Sequence, residues 1–143
     1  MADQLNFSRC CMNNKRHNVV AGVLIRDNRV LLCKRRDDLS WYPDVWDLVG
    51  GHVEPEENPE AALTRECREE LGIEVTQFGA EQQFTTADMN LSVFVIKSWD
   101  GDIINAAPNE HHAIKWYAAA GLDGLALSDE RLLPFLKSIL AET

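Results

Sequence analysis

The segment Gly51–Ile73, GHVEPEENPEAALTRECREELGI, decides how the surrounding chain can fold. Asn58 followed by Pro59 predicts the start of a helix, because asparagine caps backbone N–H groups and proline has no N–H to leave unsatisfied. Gly72 predicts the helix end, since glycine adopts the left-handed conformation that follows many helices. The apolar positions recur every four residues and predict a face packed on the core: Leu63, Cys67 and Leu71.

Three carboxylates crowd one side of this predicted helix, because Glu66, Glu69 and Glu70 stand at i, i+3 and i+4. Like charges at these spacings destabilise a helix by about 0.2–0.5 kcal/mol per pair. A hard divalent cation such as Mg²⁺ or Mn²⁺ would relieve the repulsion, since such ions prefer oxygen ligands. The alternative is a solvated acidic face that Arg65 and Arg68 partly neutralise.

The whole chain has 143 residues, which predicts one domain, and 45% hydrophobic with 26% charged residues is an ordinary composition for a globular protein. The predicted division is a polar N-terminal tail at 1–17 and a single domain at 18–143. No apolar run is long enough for a membrane span or a secretory signal, so we expect a cytoplasmic protein that binds no membrane. The net charge of −9 argues against a nucleic-acid polymer as partner.

Strand patterns outnumber helical ones along the chain. Two β-branched, apolar runs at 18–26 and 30–36 predict a hairpin. A short strand is expected around 46–49, followed by a turn at Gly50 and Gly51. Further strands are predicted at 73–78, 81–86, 91–99 and 112–117, and a second helix near 134–141. This alternation predicts an α/β fold of the sandwich type and excludes a regular doubly wound sheet.

The spacing within Gly51–Ile73 resembles the Nudix box, G-x5-E-x7-R-E-U-x-E-E-x-G-U, in which U is a bulky apolar residue. All fixed positions match: Gly51, Glu57, Arg65, Glu66, Glu69, Glu70 and Gly72. A chance match is on the order of 10⁻⁸ per starting position. Cys67 replaces the usual aliphatic residue, and a small buried thiol can fill that space. The resemblance implies a Nudix-like α/β/α sandwich with a mixed β-sheet.

The resemblance also implies a reaction, the hydrolysis of a diphosphate linked to another group, usually a nucleoside derivative, with a divalent metal ion. Carried over by motif position, the metal ligands would be three carboxylates and one backbone carbonyl: Glu66, Glu69, Glu70 and Gly50. Glu57 and Arg65 would attract each other and aim those ligands. Glu66 would thus serve both as a metal ligand and as a member of the catalytic group.

The general base is expected beyond the box, where Glu110 lies in the segment that supplies a glutamate in some family members. His111, His112 and a box glutamate remain alternatives. By similarity to MutT-type members, Arg35 is the expected phosphate contact at the end of the second strand. Its neighbours and one aromatic residue complete the predicted substrate contacts: Lys34, Arg36 and Trp41.

The expected function is therefore a Mg²⁺- or Mn²⁺-dependent pyrophosphohydrolase. Its substrate would be a nucleoside triphosphate, such as an oxidised purine deoxynucleotide of the 8-oxo-dGTP kind, cleaved to monophosphate and pyrophosphate. Two alternatives stay open: a hydrolase of nucleotide sugars or other nucleoside diphosphate derivatives, and a Nudix-like nucleotide sensor without activity. The expected partner is a small-molecule nucleotide, and the protein is expected to be a monomer or a homodimer.

Overall fold

The computed structural model describes residues 16–40 and 42–142, and within these ranges it contains seven strands, two α-helices and a 3₁₀ turn at Ala119–Leu122. The strands are β1 (His17–Arg26), β2 (Arg29–Arg35), β3 (Trp46–Asp47), β4 (Val49–His52), β5 (Glu74–Thr85), β6 (Met89–Asp100) and β7 (His111–Tyr117). The helices are α1 (Pro59–Leu71) and α2 (Leu132–Glu142). Residues 1–15 of the predicted tail and Trp41 lie outside the described residues.

Strand β1 organises a mixed sheet in the order β3-β2-β1-β6-β5. Along one edge, β1 pairs in parallel with β6 over its first eight residues. Along the other edge it pairs antiparallel with β4 through Val19–Gly22, and with β2 only at its last two residues. Strand β7 continues the sheet antiparallel to β2. Strands β4 and β2 therefore pair with different stretches of the same edge of β1.

One helix covers each face of the sheet. Apolar side chains of α1 pack with one side of β1, β2 and β6, in a core formed by Val20, Leu24, Leu31, Leu63, Cys67, Leu71, Phe94 and Ile96 among others. Helix α2 packs on the opposite side, with Ala21, Val23, Val30, Leu32, Val93, Leu132, Leu136 and Leu140. Because successive residues of a strand face opposite ways, β1 supplies both cores. The predicted α/β/α sandwich with a mixed sheet is confirmed.

Local sequence signals set the bounds of α1. The side chain of Asn58 accepts a hydrogen bond of 2.8 Å from the N–H of Ala61, and Pro59 opens the helix. At the other end, Gly72 adopts a left-handed φ of 70° and its N–H donates to the carbonyl of Arg68. The predicted core face is confirmed, since Leu63, Cys67 and Leu71 are all fully buried.

Two local predictions are wrong. The glycine pair at Gly50 and Gly51 is not a turn but part of strand β4, because β1 offers it a row of unpaired backbone groups. The predicted strands 73–78 and 81–86 form the single strand β5, since β6 gives them one continuous partner. The residues between the two predicted strands stay in β5, where the pairing with β6 shifts in register between Val75 and Glu81.

Among the described residues, no helix is long and apolar enough to cross a membrane. The cysteines that the structure describes, Cys33 and Cys67, are unpaired thiols with no exposed surface. Burial raises the pKa of both thiols above its ordinary value, because the thiolate loses its hydration inside the apolar core. Both thiols therefore serve as apolar packing groups on the α1 side of the sheet.

Candidate active site

Both glycines of β4 are closely approached by neighbouring atoms, Gly51 from helix α1 and Gly50 from strand β1. A Cβ atom on Gly51 would overlap the carboxylate of Glu66, so this side chain lies directly on the strand's backbone. A Cβ atom on Gly50 would instead overlap the backbone carbonyl of Val20 in β1. Close approach of the β1 backbone thus excludes a side chain at Gly50, whereas a side chain at Gly51 would require the Glu66 carboxylate to move.

Arg65 joins the loop before α1 to the helix. Its guanidinium donates to both carboxylate oxygens of Glu57 at 2.8 and 3.0 Å and to the carbonyl of His52 at 3.0 Å. It also contacts Glu66 at 3.2 Å and Glu69 at 3.4 Å. The hydrogen bonds from Arg65 lower the pKa of Glu57 to about 2. The predicted attraction between Glu57 and Arg65 is therefore present, while its role in aiming metal ligands stays a prediction.

The three helical glutamates occupy different environments. Glu70 is 3% exposed, whereas the side chain of Glu69 is 58% exposed and pairs with Arg65. Burial raises the pKa of Glu66, and the adjacent Glu70 raises it further. Burial likewise raises the pKa of Glu70, with Glu110 and Asp47 adding to the effect. This pair of neighbouring carboxyl groups thus binds a proton more tightly than free carboxyl groups do.

A divalent cation suits this pair chemically. Oxygen donors in a crowded acidic setting are what Mg²⁺ and Mn²⁺ prefer, and a bound cation would replace the retained proton as the neutralising charge. Glu66 and Glu70 lie close enough for each to shift the pKa of the other, so both could serve one ion. Over residues 16–40 and 42–142, no three His, Cys, Asp or Glu side chains already converge as a metal site. Glu69 and the Gly50 carbonyl stay predicted ligands.

A solvent-open cleft lies beside these residues, where the end of β2 and strand β4 flank β1. One part of its wall is polar and includes Arg35, Gly50, Glu70, Glu110 and His111. Another part is mainly apolar, with Ala21, Leu48, Met89, Leu91 and Leu132 beside Ser128 and Asp129. Ligand sites typically combine apolar walls with a few polar groups in this way.

The three predicted basic contacts separate in the structure. Arg35 is 5% exposed, lines the cleft and donates through Nε to the carbonyl of Tyr42 at 3.0 Å. Lys34 pairs with Asp44 at 3.3 Å, and Arg36 pairs with Asp38, so neither belongs to the cleft wall. Because side chains alternate along a strand, the neighbours of an inward-facing Arg35 face away from it.

The segment proposed to hold the general base begins strand β7. Glu110 lines the cleft, as does His111, whose Nε2 lies 2.6 Å from Oε1 of Glu70. Burial lowers the pKa of His111, because the imidazolium would be poorly solvated there. His112 is exposed and is not part of the cleft wall. Trp41, the predicted aromatic contact, lies outside the described residues.

Several cleft residues carried no signal in the sequence that assigned them to a site. Asp47 is one of them: its Oδ1 accepts 2.8 Å hydrogen bonds from the Leu48 N–H and from the Ser128 hydroxyl. Asp129 is another. Ser128 and Asp129 lie far from the box in sequence and reach it because the backbone of 126–128 bonds to Trp46 in β3. That pairing is tertiary, so no local pattern could have revealed it.

Comparison with known proteins agrees with this geometry. A NUDIX domain profile matches residues 15–138. The chain is 35% identical to a CTP pyrophosphohydrolase of Escherichia coli K12 over 68% of this chain and 73% of that protein. It is 31% identical to an 8-oxo-dGTP diphosphatase of Proteus vulgaris over 64% of this chain and 86% of that protein.

Solved structures of similar fold agree with these sequence matches. The solution structure of the E. coli ORF135 protein superposes with a TM-score of 0.69 at 30% identity, covering 91% of this chain and 92% of that one. The MutT NUDIX hydrolase from Burkholderia pseudomallei superposes with a TM-score of 0.72 at 26% identity, covering 83% and 95% respectively. Nudix hydrolases generally use divalent metal ions. The chain therefore belongs to the NUDIX domain family and is a hydrolase of nucleoside phosphate anhydrides.

Proposed function

We propose that this protein hydrolyses nucleoside triphosphates to the monophosphate and pyrophosphate, with Mg²⁺ or Mn²⁺ as the metal ion. One observation carries the proposal: a single cleft joins acidic groups and a buried arginine to an apolar wall. The acidic and basic groups suit a metal-bound polyphosphate, and the apolar wall suits a nucleobase. Relatives named for CTP and 8-oxo-dGTP hydrolysis support a nucleoside triphosphate as the substrate.

Arg35 is the proposed phosphate contact. Guanidinium groups form bidentate hydrogen bonds with phosphate oxygens. The Arg35 side chain is held in place by its hydrogen bond to the Tyr42 carbonyl. Glu66, Glu69, Glu70 and the Gly50 carbonyl would hold the metal ion. A bound divalent ion neutralises phosphate oxygens and polarises water. Arg65 and Glu57 would hold the loop against the helix while the metal ion is bound.

Glu110 is the proposed general base. Its carboxylate would accept a proton as the oxygen of water attacks phosphorus, while the P–O bond between the α- and β-phosphates breaks. Two observations favour Glu110 over its histidine neighbours. Nε2 of His111 is engaged by Glu70, and His112 is exposed and lies outside the cleft wall. The base therefore lies next to a side chain that is itself bonded to a proposed metal ligand.

Substituting Glu110 with glutamine tests that role. We expect kcat to fall about 10²–10⁴-fold, because the amide retains the shape and cannot accept the proton. Metal affinity, measured by Mn²⁺ titration, should stay close to that of the wild type. Wild-type turnover in this variant would rule Glu110 out as the base.

A substrate panel tests the proposed reaction. It contains CTP, dGTP, 8-oxo-dGTP, ADP-ribose and a UDP-sugar, each with Mg²⁺, and release of pyrophosphate or phosphate is measured. We expect pyrophosphate from at least one triphosphate, with 8-oxo-dGTP as the candidate oxidised substrate. Cleavage confined to the diphosphate derivatives would contradict the proposed substrate class. Nucleotide binding without cleavage of any compound would instead favour a sensor. The cytoplasmic location, the single domain at 18–143 and a monomeric or homodimeric state stay predictions.

A further inference from the structure

We propose that His111 is a positioning residue that aims the Glu70 carboxylate at the metal ion. The inference rests on the proposed function, because it takes Glu70 as a metal ligand. It concerns a different residue and a different contact, the bond between His111 in β7 and Glu70 in α1. This contact links the metal-binding helix directly to the strand that begins beside Glu110.

The geometry of this pair is closely defined. Nε2 of His111 lies 2.6 Å from Oε1 of Glu70, and both residues are 3% exposed. Nδ1 of His111 is buried and has no hydrogen-bond partner among the described residues. A carboxylate that coordinates a cation only accepts hydrogen bonds, so in that state Nε2 must carry the proton and donate it to Oε1. Within residues 16–40 and 42–142, the ring therefore has one polar contact, which is with Glu70.

The hydrogen bond restricts how Glu70 can rotate. With Oε1 engaged by His111, Oε2 is the carboxylate oxygen that this bond leaves for the cation. Groups that hydrogen-bond to a ligand in this way fix its orientation, and their loss typically weakens metal binding about 10–100-fold. His111 thus selects the carboxylate oxygen that is available to the cation.

Backbone bonds hold His111 itself in place. Its N–H donates to the carbonyl of Ala107 at 2.9 Å, and its carbonyl accepts from Nδ2 of Asn105 at 2.8 Å. The N–H of Ala106 donates to the carbonyl of Glu70 at 2.9 Å, so the same short segment also bonds to the end of α1. Because these bonds fix the backbone of His111, its imidazole ring can hold the Glu70 carboxylate in one orientation.

A purely structural role is the competing explanation, because burying Glu70 without a partner would destabilise the protein whether or not metal binds. Metal affinity separates the two roles. We would titrate the full-length, metal-free protein with Mn²⁺, follow free Mn²⁺ by electron paramagnetic resonance, and record thermal unfolding in EDTA. His111→Leu should bind Mn²⁺ about 10–100-fold more weakly than the wild type. His112→Leu, the matched control on the exposed neighbour, should bind like the wild type.

Two amide variants keep the test decisive if the leucine variant does not fold. A glutamine amide reaches approximately as far as Nε2, whereas an asparagine amide reaches approximately as far as Nδ1. His111→Gln should therefore keep near-wild-type Mn²⁺ affinity, and His111→Asn should lose it. Equal Mn²⁺ affinities in these two variants, or wild-type affinity in a folded His111→Leu, would overturn the inference. Neither result would bear on nucleotide cleavage by the wild type, which the substrate panel measures separately.

Discussion

Asp47 is a half-buried carboxylate at the wall of the cleft. Two hydrogen bonds reach its Oδ1, from the Leu48 N–H and the Ser128 hydroxyl. Both lower the pKa of Asp47, as does the positive charge of Arg35, yet desolvation outweighs them and the pKa is raised. The folded protein therefore holds this proton more tightly than the unfolded chain does.

This shift predicts a pH dependence of stability. A raised carboxyl pKa contributes stability below the unfolded value near 3.8, and that contribution is lost as pH rises through the folded pKa. Asp47→Asn keeps an oxygen for both hydrogen bonds and never ionises. We expect its free energy of unfolding to exceed that of the wild type at pH 7.

Urea denaturation from pH 3 to pH 8 provides the measurement. The advantage of the asparagine variant should shrink as the pH falls toward 3.8 and below, where the aspartate is protonated in both states. A difference between the two proteins that stays constant across this range would contradict the raised pKa.

At the scale of elements, strand β4 combines two requirements in adjacent residues. Gly50 is crowded by the backbone of β1, which is rigid, and Gly51 is crowded by the end of the Glu66 side chain, which is flexible. The first contact concerns how the strand pairs, and the second concerns where a proposed metal ligand lies. Alanine substitution at the two positions should therefore have different consequences.

Gly50→Ala should destabilise the fold by about 1–3 kcal/mol or more, because a backbone carbonyl cannot move aside without disturbing strand pairing. Gly51→Ala should unfold closer to the wild type, since the Glu66 carboxylate can rotate, but its Mn²⁺ affinity and its turnover should fall. Urea denaturation and Mn²⁺ titration check the two effects. If Gly51→Ala bound Mn²⁺ as tightly as the wild type, the position assigned to Glu66 would be wrong.

The elements differ in how far the sequence could predict them. The bounds of α1 were predictable because Asn58, Pro59 and Gly72 act on their own neighbours in the chain. The strand conformation of Gly50 and Gly51 was not, because it depends on pairing with β1, about thirty residues earlier. Turn propensity of glycine is a local rule, and tertiary pairing overrode it.

The same difference between local signals and tertiary contacts applies to the candidate active site. The Nudix box predicted which glutamates and which arginine would meet, because they share one helix and the loop before it. The bond between His111 and Glu70 spans 41 positions and has no signature in either segment. Strand alternation could have separated Arg35 from Lys34 and Arg36, since it requires that neighbours face opposite ways.

At the scale of the whole molecule, charge couples the site to overall stability. The chain carries a net charge of −9, and the glutamates of α1 add to this excess near the cleft. A cation that binds only the folded protein stabilises it by about 2.7 kcal/mol at a concentration of 100 times its Kd. For a domain of this size, each kcal/mol raises Tm by about 2–8 °C.

Mg²⁺ or Mn²⁺ should therefore raise Tm by several degrees, beyond what NaCl of the same ionic strength achieves. Differential scanning fluorimetry with and without metal checks this. Glu70→Gln, which lacks one proposed ligand charge, should respond less than the wild type. Equal shifts with metal and with NaCl would argue that the free protein does not bind the ion at these glutamates.

The two buried thiols have a consequence for how the molecule can be observed. Alkylating reagents attack the thiolate, and Cys33 and Cys67 are enclosed between α1 and the sheet with little tendency to ionise. Modification of either sulfur requires the helix to separate transiently from the strands. The labelling rate of these two positions, followed by peptide mass spectrometry in native buffer, therefore counts opening events of this half of the core. Two native cysteines thus report transient opening of this half of the core, with no need to introduce a labelling site by mutation.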